Sequence, residues 1–214
     1  MRVNTNISYI VFLFSLAAFT MVPEYAVGKP FCSLSDPTQQ IFNVFPQATN
    51  YKSVVHNIDN QAKKELLSQH DFTIHSKEIG RHTVFFALQN EIPLGLIHVR
   101  TESGIWGLTE IVWALDMDLN IIDFNFQRCR GSSCKSIEDG EFKDKLRGKS
   151  LGDVLGLLKG SGDNLYDNSA DTPLQAKESL AQAVLRSAVK TIIITDKIWR
   201  EDIAELNLKN NPDK

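Results

Sequence analysis

From Val84 to Phe126 apolar and polar side chains alternate with a period of two, which places successive residues on opposite faces of a strand. Val84, Phe86 and Leu88 share one face. Further on, Leu96, His98 and Arg100 alternate with Ile97 and Val99, and residues 90–95, with Pro93 among them, are assigned to the connection, giving a hairpin. A second pair follows. Ile111, Trp113 and Leu115 fall on one face of a strand, and Ile122, Phe124 and Phe126 on one face of the next, with Asp123, Asn125 and Gln127 opposite. Residues 116–120 form the turn between them.

Around this block the period changes to that of a helix. Asp36-Pro37 opens a short helix that Pro46 stops, residues 51–58 read as a strand, and residues 60–69 read as a helix with Asp59 as N-cap. After the strands, residues 141–147 form a short helix ended by Gly148. Ser150, with Asp153 three positions on, caps the next helix. The last begins at Thr172-Pro173-Leu174-Gln175, with Thr as cap and Pro at the first helical position. Its apolar stripe is Ala181, Val184, Leu185, Ala188, Val189, Ile192 and Ile193, a face suited to lie on a sheet. The β-branched run 191–195 also fits a strand, which leaves the end of this helix open. Residues 161–171 are a Gly/Asn/Asp/Ser-rich loop. A sheet with one apolar face needs a cover, and the C-terminal helices supply it, so the expected fold is a single α+β domain with an antiparallel sheet.

The N-terminus reads separately. Arg2, an apolar stretch over residues 9–22 and small residues around Ala26-Val27-Gly28 have the form of a signal peptide over residues 1–28, with a membrane anchor as the alternative. Cys32 lacks the preceding small residues of a lipid-modified cysteine. The domain then occupies residues 29–214, and the expected location is the periplasm or another exported compartment. A net charge of −3 with scattered Lys and Arg excludes a nucleic-acid footprint or a polybasic membrane patch.

The chain has three cysteines. Cys129 and Cys134 enclose Arg-Gly-Ser-Ser, a loop short enough to close as a disulfide in an oxidising compartment. No second Cys pair or His pair accompanies them at zinc-site spacing, and the redox spacing of two residues is absent. His56, His70, His75, His82 and His98 show no ligand spacing. Walker, GxGxxG and nucleophile-elbow motifs are absent, so no enzyme class is assigned.

Several pieces occur together in a definite order: Phe45-Pro46-Gln47-Ala48, Gly95 in a strand pair, the two strands within 108–127, Phe142 followed by Leu146-Arg147-Gly148-Lys149, and the helix carrying Ala183-Val184. In that order and spacing, over roughly residues 40–195, the chain resembles the FMN-binding domain family, which includes subunits of the sodium-pumping NADH:quinone reductase and its Rnf relatives. The resemblance implies a flavin-carrying domain of the cell envelope that takes part in electron transfer. Family members with covalent flavin carry a Ser-Gly-Ala-Thr segment at the start of the last helix, whose threonine forms a phosphoester with FMN. Here Ala176 or Leu174, depending on the alignment, stands at that position, and neither side chain can make the bond. Thr172 lies nearby but is the expected cap. The resemblance therefore implies non-covalent FMN, or loss of the cofactor.

The candidate cofactor residues follow from the chemistry of a flavin phosphate. Arg128 and Arg130 offer guanidinium forks, the Thr172-capped helix start offers backbone N–H groups, and Gln127 can donate to a flavin carbonyl. Two arginines at a strand end also serve as solvated ion pairs. Trp106, in the turn-like Gly104-Ile105-Trp106-Gly107, is the candidate ring contact, whereas Trp113 on an apolar strand face reads as core. Glu110 points away from Ile111, Trp113 and Leu115 and is expected to be a partly buried carboxylate with a raised pKa and Arg128 as partner. Two functions remain: an FMN-binding electron-transfer module with an envelope redox partner, or a flavin-less binding or scaffold protein on the same fold.

Overall fold

The computed structural model describes residues 36–70, 72–74, 76–104, 107–160 and 173–210. The signal segment, Cys32, His75, Trp106, the 161–171 loop and Thr172 lie outside the described residues. The elements are α1 (Thr38–Val44), β1 (Asn50–Ile58), α2 (Asn60–Gln69), a 3-10 turn (Ser76–Glu78), β2 (Gly80–Gln89), β3 (Ile92–Gly104), β4 (Gly107–Leu115), β5 (Ile121–Arg128), α3 (Ser133–Glu138), α4 (Glu141–Leu146), α5 (Leu151–Gly160) and α6 (Pro173–Asn210). The five strands form one antiparallel sheet in the order β1-β2-β3-β4-β5. The fold is α+β.

Local chemistry sets the boundaries. Asp59 Oδ1 accepts from the backbone N–H of Ala62 at 2.7 Å, satisfying one donor at the start of α2. At α5, Ser150 N donates to Asp153 Oδ2 at 3.0 Å while Asp153 N donates back to Ser150 Oγ at 3.4 Å, a reciprocal capping box. In the β4–β5 turn, Asp116 Oδ1 accepts from the backbone of Asp118 and of Asn120.

Three expectations are corrected. The β2–β3 connection is not residues 90–95 but the two-residue turn Asn90-Glu91, and Gln89 already pairs with Ile92. Both turn residues have positive φ, 50° and 68°, the hairpin geometry that matches strand twist. Pro93 therefore sits inside β3, and the register shifts between Ala87 and Leu88 beside it, where the missing N–H interrupts the ladder. Next, Leu115 pairs with Ile121 and Ala114 with Asp123, so Ile122 is the extra residue of a bulge. Ile121 joins Phe124 in the core under α6, while Ile122 packs into the core on the other face. The third correction concerns the sheet, which is apolar on both faces. Ile41, Phe45 and Ala48, in and just after α1, cover Phe85, Ala87, Ile97, Val99, Val112 and Ala114.

The opposite face is buried by α2, α5 and α6. The 191–195 run is helical, because Ile192 and Ile193 gain buried seats only in register with the stripe Val184, Leu185, Ala188 and Val189. Helix α6 crosses several strands. Trp113 Nε1 on β4 donates to Ser187 Oγ at 2.9 Å, Lys190 and Thr195 meet β3, and Trp199 Nε1 donates to the Val54 carbonyl on β1 at 3.2 Å. Among the described residues no helix is long and apolar enough to cross a membrane.

Candidate functional site

Two features carry chemistry, one at the surface and one buried. The surface feature is the corner where β5 ends. Glu110 pairs in register with Arg128 while Ile111 pairs with Phe126, so Gln127 occupies a bulge and Arg128 is drawn opposite the acid. Glu110 Oε1 lies 3.7 Å from an Arg128 guanidinium nitrogen, with the arginine side chain 54% exposed. By strand alternation Glu110 shares the face of Val112 and Ala114, away from α6.

Beyond Arg128 the chain folds back sharply. Cys129 and Cys134 are joined by a disulfide, and exposed Arg130 stands in the small ring this closes. Glu138 Oε1 accepts from the Phe126 backbone N–H at 2.8 Å, tying α3 to β5. Ile137 of α3 shares a buried core with Leu180 and Val184, which sets the corner beside the early part of α6. Gln127, Arg128, Arg130 and Glu110 are thus brought to one end of the sheet. Trp113 is fully buried with its indole N–H bonded to Ser187, and is core. Trp106 and Thr172 lie outside the described residues. Two guanidinium groups and an amide on one exposed corner suit a phosphomonoester, although Glu110 already meets one of them.

The buried feature was not foreseen as a site. On β3 the positions facing α6 after Leu96 are His98, Arg100 and Glu102, all under 5% exposed. Arg100 donates to Glu78 Oε2, Lys190 of α6 donates to Glu102 Oε2 at 2.9 Å, and Lys190 also lies 3.7 Å from Glu78 Oε1. Two acids and two bases therefore alternate beneath α6 with little water access. Buried pairs of this kind rarely add net stability, because desolvation offsets the attraction, yet removing one partner strands the other. Burial raises the Glu102 carboxyl above its ordinary value against the pull of Lys190.

Two imidazoles border the quartet. His82 Nε2 is 2.8 Å from the Glu78 carbonyl, and His98 Nδ1 is 2.8 Å from Thr195 Oγ1. Burial, reinforced by Arg100, lowers His82 to about 4. Burial also holds His98 well below the ordinary histidine range, with Arg100 and then His82 adding to it. The signal in the sequence was polarity at inward positions: His98, Arg100 and Glu102 continue the Leu96 face, and Ser187, Lys190, Thr191 and Thr195 interrupt the α6 stripe.

A cleft of about 390 Å³ opens at the other end of β5, between Leu66 of α2, His70 just after that helix, Asp118, Ser150 and Arg200. Its cations are already matched, Lys197 by Glu65 at 3.3 Å and Arg200 by Asp196. Among the described residues no group of three His, Cys, Asp or Glu is placed to hold a metal ion. No protein-family model matches the chain, and no curated protein matches it either.

Proposed function

We propose that this chain is a cell-envelope protein that binds FMN non-covalently and takes part in electron transfer. The observation that carries the reading is the convergence of Gln127, Arg128 and Arg130 on one exposed corner, folded back by the Cys129–Cys134 bond against α3 and the early part of α6. Arg128 and Arg130 would hold the phosphate, with Glu110 orienting Arg128, and the Gln127 amide would meet a flavin carbonyl. Once bound, the flavin supplies the redox chemistry, and the protein sets its position and surroundings. With Ala176 or Leu174 where an attachment threonine would stand, no ester tether forms.

Purified protein should show flavin absorbance or take up added FMN. Replacing Arg128 and Arg130 together by alanine should weaken FMN at least tenfold, about 1.4 kcal/mol, since charge-assisted contacts are each worth about 1.5–3 kcal/mol. Unchanged affinity would remove the phosphate from this corner. The second reading is a flavin-less binding protein on the same fold, favoured by the ion pair that already occupies Arg128. A colourless protein that ignores added FMN selects it.

A further inference from the structure

We propose that His82 and His98 form an acid-sensing element that loosens α6 from the sheet, independently of any flavin. The hydrogen bonds fix the argument. A carbonyl only accepts, so His82 Nε2 carries the proton it donates to Glu78, and its Nδ1 is left bare, buried and without a partner. His98 uses Nδ1 toward Thr195, and its Nε2 is likewise buried and without a partner. The two rings lie edge-on with centroids 6.1 Å apart. A proton added to either creates a cation away from water with no acid reserved for it.

Every charged element around the pair bears on that outcome. From the 3-10 turn comes Glu78, already engaged by Arg100 and Lys190. From β3 come Arg100, a fixed positive charge, and Glu102, held by Lys190. From α6 comes Lys190, which reaches both Glu78 and Glu102. From β1 comes His56, which stands opposite His82 in the register and is 41% exposed, with Asp202 of α6 at 2.7 Å. His56 is thus the imidazole nearest to solvent in the row. The load falls on α6 because His98 bonds Thr195 and its ring packs 5.1 Å from that of Trp199.

The sign follows from linkage. A histidine depressed in the folded state binds fewer protons there than in the unfolded chain, so its stabilising share is complete above the ordinary value of 6.5 and is lost as pH falls toward about 4. Glu102, raised by burial, works in the opposite direction, since the folded state takes up its proton first.

The test is amide-exchange protection of α6 in the full chain, with tryptophan fluorescence alongside, from neutral pH to about pH 4. Protection across residues 180–206 should fall at least about tenfold over this window. The variant combining His82→Gln with His98→Asn keeps a donor toward Glu78 and a partner for Thr195 but cannot become charged, so its protection should stay level. An unchanged wild type, or a variant that falls equally, overturns the proposal. Should the variant fail to fold, proton NMR titration of the wild-type imidazoles decides: ordinary titration near 6.5 for both rings overturns it, and resistance until α6 opens supports it.

Discussion

The ring of Phe45 occupies the space where a side chain on Gly95 would begin. A Cβ at Gly95 would lie 2.7 Å from that ring and 2.5 Å from the Leu115 carbonyl on the neighbouring strand. The carbonyl belongs to the sheet and cannot turn away. Gly95→Ala should therefore cost about 1–3 kcal/mol in chemical denaturation, in the range of other overpacked sites. Adding Phe45→Ala should cost less than the sum of the two single changes, because one side of the clash is then gone.

The buried quartet predicts an asymmetry. Lys190→Met leaves Glu102 without its cation and should lower stability by about 3–5 kcal/mol. Combining Lys190→Met with Glu102→Leu removes both charges and should recover much of that loss while Arg100 still satisfies Glu78. Denaturant titration of the two singles and the double measures this. A double variant no more stable than Lys190→Met would refute the pairing.

The Cys129–Cys134 bond closes a ring of six residues, for which chain entropy gives about 2 kcal/mol. The Cys129→Ser, Cys134→Ser variant should lose that much in thermal unfolding. If the ring also poses Arg130, FMN affinity should drop in the same variant at temperatures where it is fully folded.

Arg128 separates a binding role from a structural one. Its contact with Glu110 is long and its own side chain is 54% exposed, so Arg128→Ala should change stability by no more than about 1 kcal/mol. A large drop in melting temperature would mean that the residue is structural.

What could be read from the chain was local. Asp59 announces its helix because its carboxylate serves the donors at that helix end, and the 116–120 turn is written in Asp116, whose side chain collects two backbone donors. Features that depend on a partner strand were hidden. Pro93 looks like a loop residue until the Asn90-Glu91 turn places it within a strand, and Ile122 looks inward until the bulge turns it over. The second apolar face is concealed because the alternation that puts Leu96 and Trp113 on one face leaves Ile97, Val99, Val112 and Ala114 on the other, and only the packing of α1 shows that this face is covered too. The buried acidic and basic side chains come from three separate stretches of chain, the 3-10 turn, β3 and α6, which only the folded arrangement brings into contact. At the corner, the positions of Glu110 and Arg128 along two adjacent strands already make them partners, and the register pairs them.

Because the strands are laid down strictly in chain order, each one finds its neighbour within a short stretch of newly made polypeptide. Low sequence separation favours fast pairing. The closing helix is different: it comes last in the chain, yet it must reach back across β4, β3 and β1. A polypeptide halted before residue 173 could zip its hairpins together and still present a wide greasy surface in which Glu102 lacks the Lys190 cation, a species prone to aggregate until α6 arrives.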